Sequence, residues 1–146
     1  MRLDMAIELV PLCTVRIQVK PPIEVGSGPA GTRLVFELAS SKIEGDRLNA
    51  ELMGDAAADW LLVGPEGTAT LDVQATYRTD DGAAMYVQYG GRVDASAGMN
   101  PPLTAYVAAR FETGDERYAW LNRVQAVGKG VLHEDLSVDY EWYEVR

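Results

Sequence analysis

Cysteine and histidine each occur once in the 146-residue chain, as Cys13 and His133. A lone cysteine forms no intrachain disulfide and no thiolate cluster, which excludes a disulfide-stapled secreted fold and cysteine-based zinc or iron–sulfur sites. A reducing cytoplasm is the expected location. One histidine leaves no two-histidine centre, and no metal site is expected. Positive charge is scarce as well: 13 Lys and Arg against 22 Asp and Glu give a net charge of -9. Such a chain repels phosphate backbones and anionic headgroups, so neither nucleic acid nor a membrane is an expected partner. Solubility is a sufficient explanation of the charge itself. No apolar run approaches the roughly 18 residues of a membrane span, and the residues after Met1-Arg2-Leu3-Asp4 are too often interrupted by charge for a signal peptide. Walker-type, Rossmann and nucleophile-elbow patterns are all missing, so no cofactor is expected.

What is present is period-two alternation. The length and the 47% hydrophobic content are those of one domain, residues 1–146, with its own core. Thr14 to Lys20 places Val15, Ile17 and Val19 on one face, and Pro21-Pro22 ends the strand. Gly26 to Gly31 reads as a long turn. Residues 33–38 and 48–52 alternate in the same way, and Trp60 to Val63 is a short apolar run closed by Gly64-Pro65-Glu66-Gly67. The clearest local signal is a hairpin, Thr68 to Thr79 and Ala83 to Tyr89 about Asp80-Asp81-Gly82, in which the glycine takes the left-handed position. Residues 93–103, with their Pro-Pro stop, read as a loop or single helical turn suited to a mobile lid. Strands are then expected over Thr104–Thr113, Tyr118–Val127 and Leu136–Val145. About eight to ten strands without alternating helices predict an all-β antiparallel barrel or sandwich, and closure favours the barrel because it removes edges and leaves an interior cavity.

With metals, thiols and phosphate cofactors set aside, carboxylates, tyrosines and arginines remain as working groups. They concentrate between Arg110 and Asn122. If Tyr118 begins a strand, Tyr118, Trp120 and Asn122 share a face, as do Tyr106, Arg110 and Glu112 on the preceding strand. Arg110 with Glu112 is either a structural ion pair or a pocket pair that holds an anionic enolate or carboxylate. Asp59 either caps a turn or accepts a substrate proton, and Asp72 faces either solvent or the lumen. Asp80 and Asp81 are turn residues. Trp60, Trp120 and Trp142 serve as core or as pocket walls, and Tyr86 as core or as a substrate contact. Tyr106, Tyr118 and Asn122 are neutral donors able to orient a carbonyl. His133 reads as a surface residue and Cys13 as a small buried hydrophobe.

The stretches Ala58-Asp59-Trp60, Arg78-Thr79-Asp80-Asp81-Gly82, Arg110-Phe111-Glu112-Thr113-Gly114 and Tyr118-Ala119-Trp120-Leu121-Asn122-Arg123 resemble the family called domain of unknown function 3237. The resemblance runs from about the first strand to Val145. It implies a lipocalin-like β-barrel of about this length, in a cytoplasmic bacterial or fungal protein. It also implies that chemistry without a cofactor is open to such a barrel, since some fungal members close a flavanone ring as chalcone isomerases. The chain departs from the family pattern at Tyr106, where an arginine is expected, and at Ala75, where a tyrosine is frequent.

These readings converge on a cofactor-independent acid/base enzyme, an isomerase, cyclase or hydratase/lyase, acting on a small aromatic or carbonyl-bearing molecule inside the barrel. Its expected catalytic residues are Arg110, Glu112, Asp72, Asp59 and Tyr118, with Trp60, Tyr106, Trp120, Asn122 and Tyr86 contacting the substrate. Two other readings are a barrel that only binds a small apolar molecule, and an aromatic face that joins copies into a homo-oligomer.

Overall fold

Alternation of buried and exposed residues sets the architecture of the computed structural model, which describes residues 4–146. Ten strands follow one another: β1 (Leu9–Val19), β2 (Ile23–Gly28), β3 (Gly31–Glu44), β4 (Ala50–Leu52), β5 (Ala58–Val63), β6 (Thr68–Thr79), β7 (Ala84–Asp94), β8 (Leu103–Glu112), β9 (Ala126–Leu132) and β10 (Ser137–Val145). A 3-10 helix, Glu116–Arg123, lies between β8 and β9. Pairing runs β1-β10-β9-β8-β7-β6, passes through β4 and β5, which both lie between β6 and β3, and returns from β3 to β1. The result is a closed antiparallel barrel, with β2 extending the sheet beyond β3. No helix among the described residues is long and apolar enough to cross a membrane.

Closure gives the strands of the ring one dry face, whereas β2, which lies outside it, buries none of its residues. Val15, Ile17 and Val19 point inward from β1, Leu71, Val73, Ala75 and Tyr77 from β6, and Ala105, Val107, Ala109 and Phe111 from β8. The β6–β7 hairpin has the expected turn, with Gly82 at φ +95°. Thr79 rivets it: its hydroxyl donates to Asp81 Oδ1 at 2.6 Å and accepts the buried Ala83 N–H at 2.7 Å. Thr79→Val preserves shape but strands that N–H, so a loss of about 1–3 kcal/mol is expected in urea unfolding. An unchanged midpoint would show that the hydroxyl is dispensable. Beyond Tyr89 the strand continues through Gly90 and Gly91 to Asp94.

Two segments depart from the sequence-based expectations. Gly26 to Gly31 is not a long turn but the end of the β2–β3 hairpin, where Gly28 pairs with Gly31 around Pro29-Ala30. Tyr118–Val127 is not one strand, because its first half is the 3-10 helix. There Asp115 accepts the Arg117 N–H at 2.9 Å as an N-cap, and the Tyr118 N–H returns to the Asp115 carbonyl at 3.1 Å. Asn122 holds both the N–H and the carbonyl of Thr113, at 2.8 and 2.9 Å. Burial of Leu121 against the core completes the arrangement.

A cluster of aromatic rings fills part of the interior. Trp142 packs edge-on against Tyr89, Tyr140 and Phe111, with ring centroids 5.1, 6.1 and 6.1 Å away. Cys13 is buried as expected, and burial pushes its thiol up to about 12. His133 is partly exposed and bonds Asp139 at 3.0 Å.

Candidate active site inside the barrel

Interior space remains beside the aromatic cluster. It is a cavity of about 60 Å³, walled mainly by aliphatic side chains from several strands, with Met99 reaching in from the β7–β8 segment that was expected to act as a lid. Room for a few water molecules is available, but not for a benzene ring, which needs about 150 Å³. Three polar side chains line it: Asp59, Tyr89 and Tyr140. Among the described residues no Lys, Arg or His lines the cavity, and no group of three His, Cys, Asp or Glu is placed to hold a metal ion.

Asp59 reaches the interior because β5 alternates. Ala58, Trp60 and Leu62 face away from Asp59 and Leu61, and Asp59 is only 8% exposed while Trp60 is 47% exposed. Its Oδ1 accepts the backbone N–H of Asp72 at 3.0 Å. Burial pushes the carboxyl up from 3.8 to about 7; the Asp72 N–H opposes that rise and the Asp72 carboxylate adds to it. A carboxyl group that titrates near neutrality exchanges protons in either direction at working pH. Tyr89 and Tyr140 stand next to each other, with ring centroids 5.8 Å apart and planes at 73°. Burial raises both phenols, and Asp59 raises them further, so each stays protonated as a donor. One acid/base group and two neutral donors in an apolar enclosure are the parts needed to move a proton next to a carbonyl.

Of the ten residues picked from sequence, only Asp59 meets this cavity. Tyr106, Arg110 and Glu112 do share a face of β8, but it is the outer one. Arg110 bonds Gln88 at 3.3 Å, and with Tyr86, Glu112 and Asn122 it lines a shallow groove on the outside of the barrel. Asp72 points its side chain outward; its backbone N–H bonds Asp59, and its carboxylate acts on Asp59 only through charge. Tyr118 donates to Asp81 at 2.9 Å beside the hairpin turn, and Trp120 is capped by the Arg47 guanidinium 4.6 Å from its ring. Trp60 is on the outer surface, and Trp142 is core.

Tyr89 and Tyr140 were not among the sequence candidates. A signal for them exists: Val87, Tyr89 and Val93 share a phase on β7, and Val138, Tyr140 and Trp142 on β10. A phenol in phase with aliphatic neighbours faces the interior of a barrel, whereas the polar face of β8 points to solvent.

The fold has solved counterparts. A protein described as beta-barrel like from Acinetobacter baumannii AYE superposes with a TM-score of 0.87 at 27% identity, covering all of both chains. A Penicillium herquei protein superposes with a TM-score of 0.73 at 22% identity, covering 99% of this chain and 98% of the other. In sequence, a UPF0311 protein of Rhodopseudomonas palustris strain TIE-1 is 23% identical over 136 residues, covering 86% of this chain and 88% of that protein. A UPF0311 protein of Clostridium acetobutylicum is 26% identical over 120 residues, 74% of this chain and 75% of its own length. The model of the family described as "Protein of unknown function (DUF3237)" matches residues 7–145, nearly the whole barrel, and the chain therefore belongs to that family.

Proposed function

We propose that the barrel interior is the active site of a cofactor-independent acid/base enzyme, of isomerase or hydratase/lyase type, acting on a neutral and largely apolar carbonyl compound. The observation that carries this reading is the seclusion of one carboxyl group, Asp59, beside two phenols in an otherwise apolar cavity. Ionised Asp59 takes the proton from the carbon next to the carbonyl. Tyr89 and Tyr140 donate hydrogen bonds to the carbonyl oxygen as it gains enolate charge. Protonated Asp59 then returns the proton at a second carbon, which completes an isomerisation. An anionic substrate is disfavoured, because burying a second negative charge near Asp59 without a cation is costly. Entry of a molecule larger than the cavity requires Met99 and Leu103 to move aside. The Penicillium herquei protein of the same fold is described as an enzyme, which agrees with catalysis in such a barrel.

The test is solvent exchange. Neutral aryl ketones and β,γ-unsaturated ketones are incubated with the protein in deuterated water, and loss of the α C–H signal is followed by NMR. Protein-dependent exchange is expected for at least one compound, rising with pH through about 7 as Asp59 ionises. Tyr89→Phe or Tyr140→Phe, each removing one donor, is expected to slow it about a hundredfold. Exchange that ignores both substitutions would remove the phenols from the mechanism. Bound ketones that never exchange would instead favour a barrel that only binds.

A further inference from the structure

Arg33 does not line the cavity, yet its guanidinium donates to the carbonyl of the residue that follows Asp59. Between β5 and β6 the pairing runs Ala58 with Gln74 and Asp59 with Val73, then resumes at Leu62 with Thr70 and Val63 with Ala69. The register is unchanged, so the two positions between, Trp60 opposite Asp72 and Leu61 opposite Leu71, are unpaired. Backbone direction along this strand alternates. The Ala57 carbonyl accepts from Leu38 on the β3 side, whereas the Gly64 N–H donates to Thr68 on the β6 side. Trp60, in phase with Gly64, therefore turns its carbonyl towards the Asp72 N–H, and a regular antiparallel ladder would join the two. Instead Arg33 Nη1 donates to the Trp60 carbonyl at 2.8 Å, and the Asp72 N–H donates to Asp59 Oδ1 at 3.0 Å. Two side-chain hydrogen bonds stand in place of one ladder bond.

We infer that Arg33 is the positioning residue of Asp59: by holding the Trp60 carbonyl, it leaves the Asp72 N–H free to fix the carboxylate inside the barrel. Without the guanidinium, the Trp60 carbonyl lacks a partner, and the donor facing it is the Asp72 N–H. The ladder closes and Asp59 loses its backbone hydrogen bond. The groups facing Asp59 are otherwise unaltered: Asp72 on β6, Tyr89 on β7, Tyr140 on β10, and the uncharged Phe36 opposite it on β3. The consequence for catalysis rests on the acid/base reading above. The hydrogen-bond exchange itself does not.

The experiment is NMR on the full-length, isotope-labelled protein without substrate. In the wild type, scalar coupling across the hydrogen bond is expected from the Asp72 amide nitrogen to the Asp59 carboxyl carbon. In Arg33→Met it is expected to move to the Trp60 carbonyl carbon. The Asp59 carboxyl titration should rise by about half a pH unit or more, because a hydrogen bond to the ionised form is lost. Arg33→Lys, which keeps a donor, should restore the wild-type coupling and titration. Wild-type coupling to Trp60, or an Arg33→Met spectrum that keeps the Asp59 coupling, would overturn the assignment. If Arg33→Met does not fold, the wild-type and Arg33→Lys couplings decide alone. Where turnover is measured, Arg33→Met should lower kcat at least about tenfold with KM nearly unchanged, as expected of a misplaced group outside substrate contact. Absence of any turnover would count against the acid/base reading and leave the coupling result standing.

Discussion

Asp59→Asn is expected to abolish turnover and at the same time to make the protein more stable at pH 8. The two effects share one cause. Burial raises the carboxyl from 3.8 to about 7, so between those values the folded chain holds a proton that the unfolded chain has released. Stability then falls as pH rises through that window. At 1.36 kcal/mol for each tenfold change, the full penalty above pH 7 is about 4 kcal/mol. Asparagine is nearly isosteric, never ionises, and keeps an oxygen to accept the Asp72 N–H. Urea unfolding of both proteins between pH 5 and 8 should therefore show a gap that widens with pH in favour of the variant. A gap that stays constant would show that the carboxyl is not held protonated by the fold. Catalysis responds in the opposite sense, because an amide neither takes nor returns the proton; a loss of two orders of magnitude or more is expected. A group kept at a cost to stability and needed for turnover is a recurrent property of functional sites.

Gly128→Ala and Gly130→Ala are the second large expectation. Both glycines lie on β9 under aromatic rings of β10. An added methyl carbon at 128 would sit 2.8 Å from Trp142 Nε1, and one at 130 would sit 2.6 Å from Tyr140 Cε1, both well inside van der Waals contact. Neither ring can swing away, since Trp142 is wedged against Tyr89, Tyr140 and Phe111. Overpacking of this kind costs about 3 kcal/mol or more, a large part of a small domain's stability. The two variants should differ in function. Gly130→Ala moves Tyr140, which lines the cavity, while Gly128→Ala disturbs Trp142, which does not. Thermal unfolding with near-ultraviolet circular dichroism reads both effects, and Gly114→Ala, with open space around the added carbon, is the control. Variants as stable as that control would contradict the close packing of the aromatic cluster.

Much of the barrel is legible in the sequence because a strand in a barrel carries its orientation in its period. Val15, Ile17 and Val19 or Leu71, Val73 and Ala75 are inward for the same reason that they alternate. The β6–β7 turn is legible because Gly82 and Thr79 act within five residues. The strand expected over Tyr118–Val127 gives way to a helix in its first half because the competing signals are equally local: an Asp115 cap and a side-chain clamp from Asn122 outweigh a weak alternation. The site was harder. Arg110, Glu112 and Asp72 carry the chemistry a site needs, but their phase places them on the wet face of the barrel.

By itself the sequence determined an acidic, all-β chain with no cysteine or histidine cluster, and a small set of carboxylates and phenols as its chemical resources. Those properties depend on composition and on periods of two, which need no partner strand. Tertiary structure alone decided that Asp59, Tyr89 and Tyr140, drawn from β5, β7 and β10, meet in one cavity. It also decided that Arg33, 26 positions before Asp59, holds the Trp60 carbonyl while the Asp72 N–H holds the Asp59 carboxyl. Both depend on which strands become neighbours when the sheet closes, and the pairing of distant strands is a property of the closed barrel rather than of any local stretch of chain.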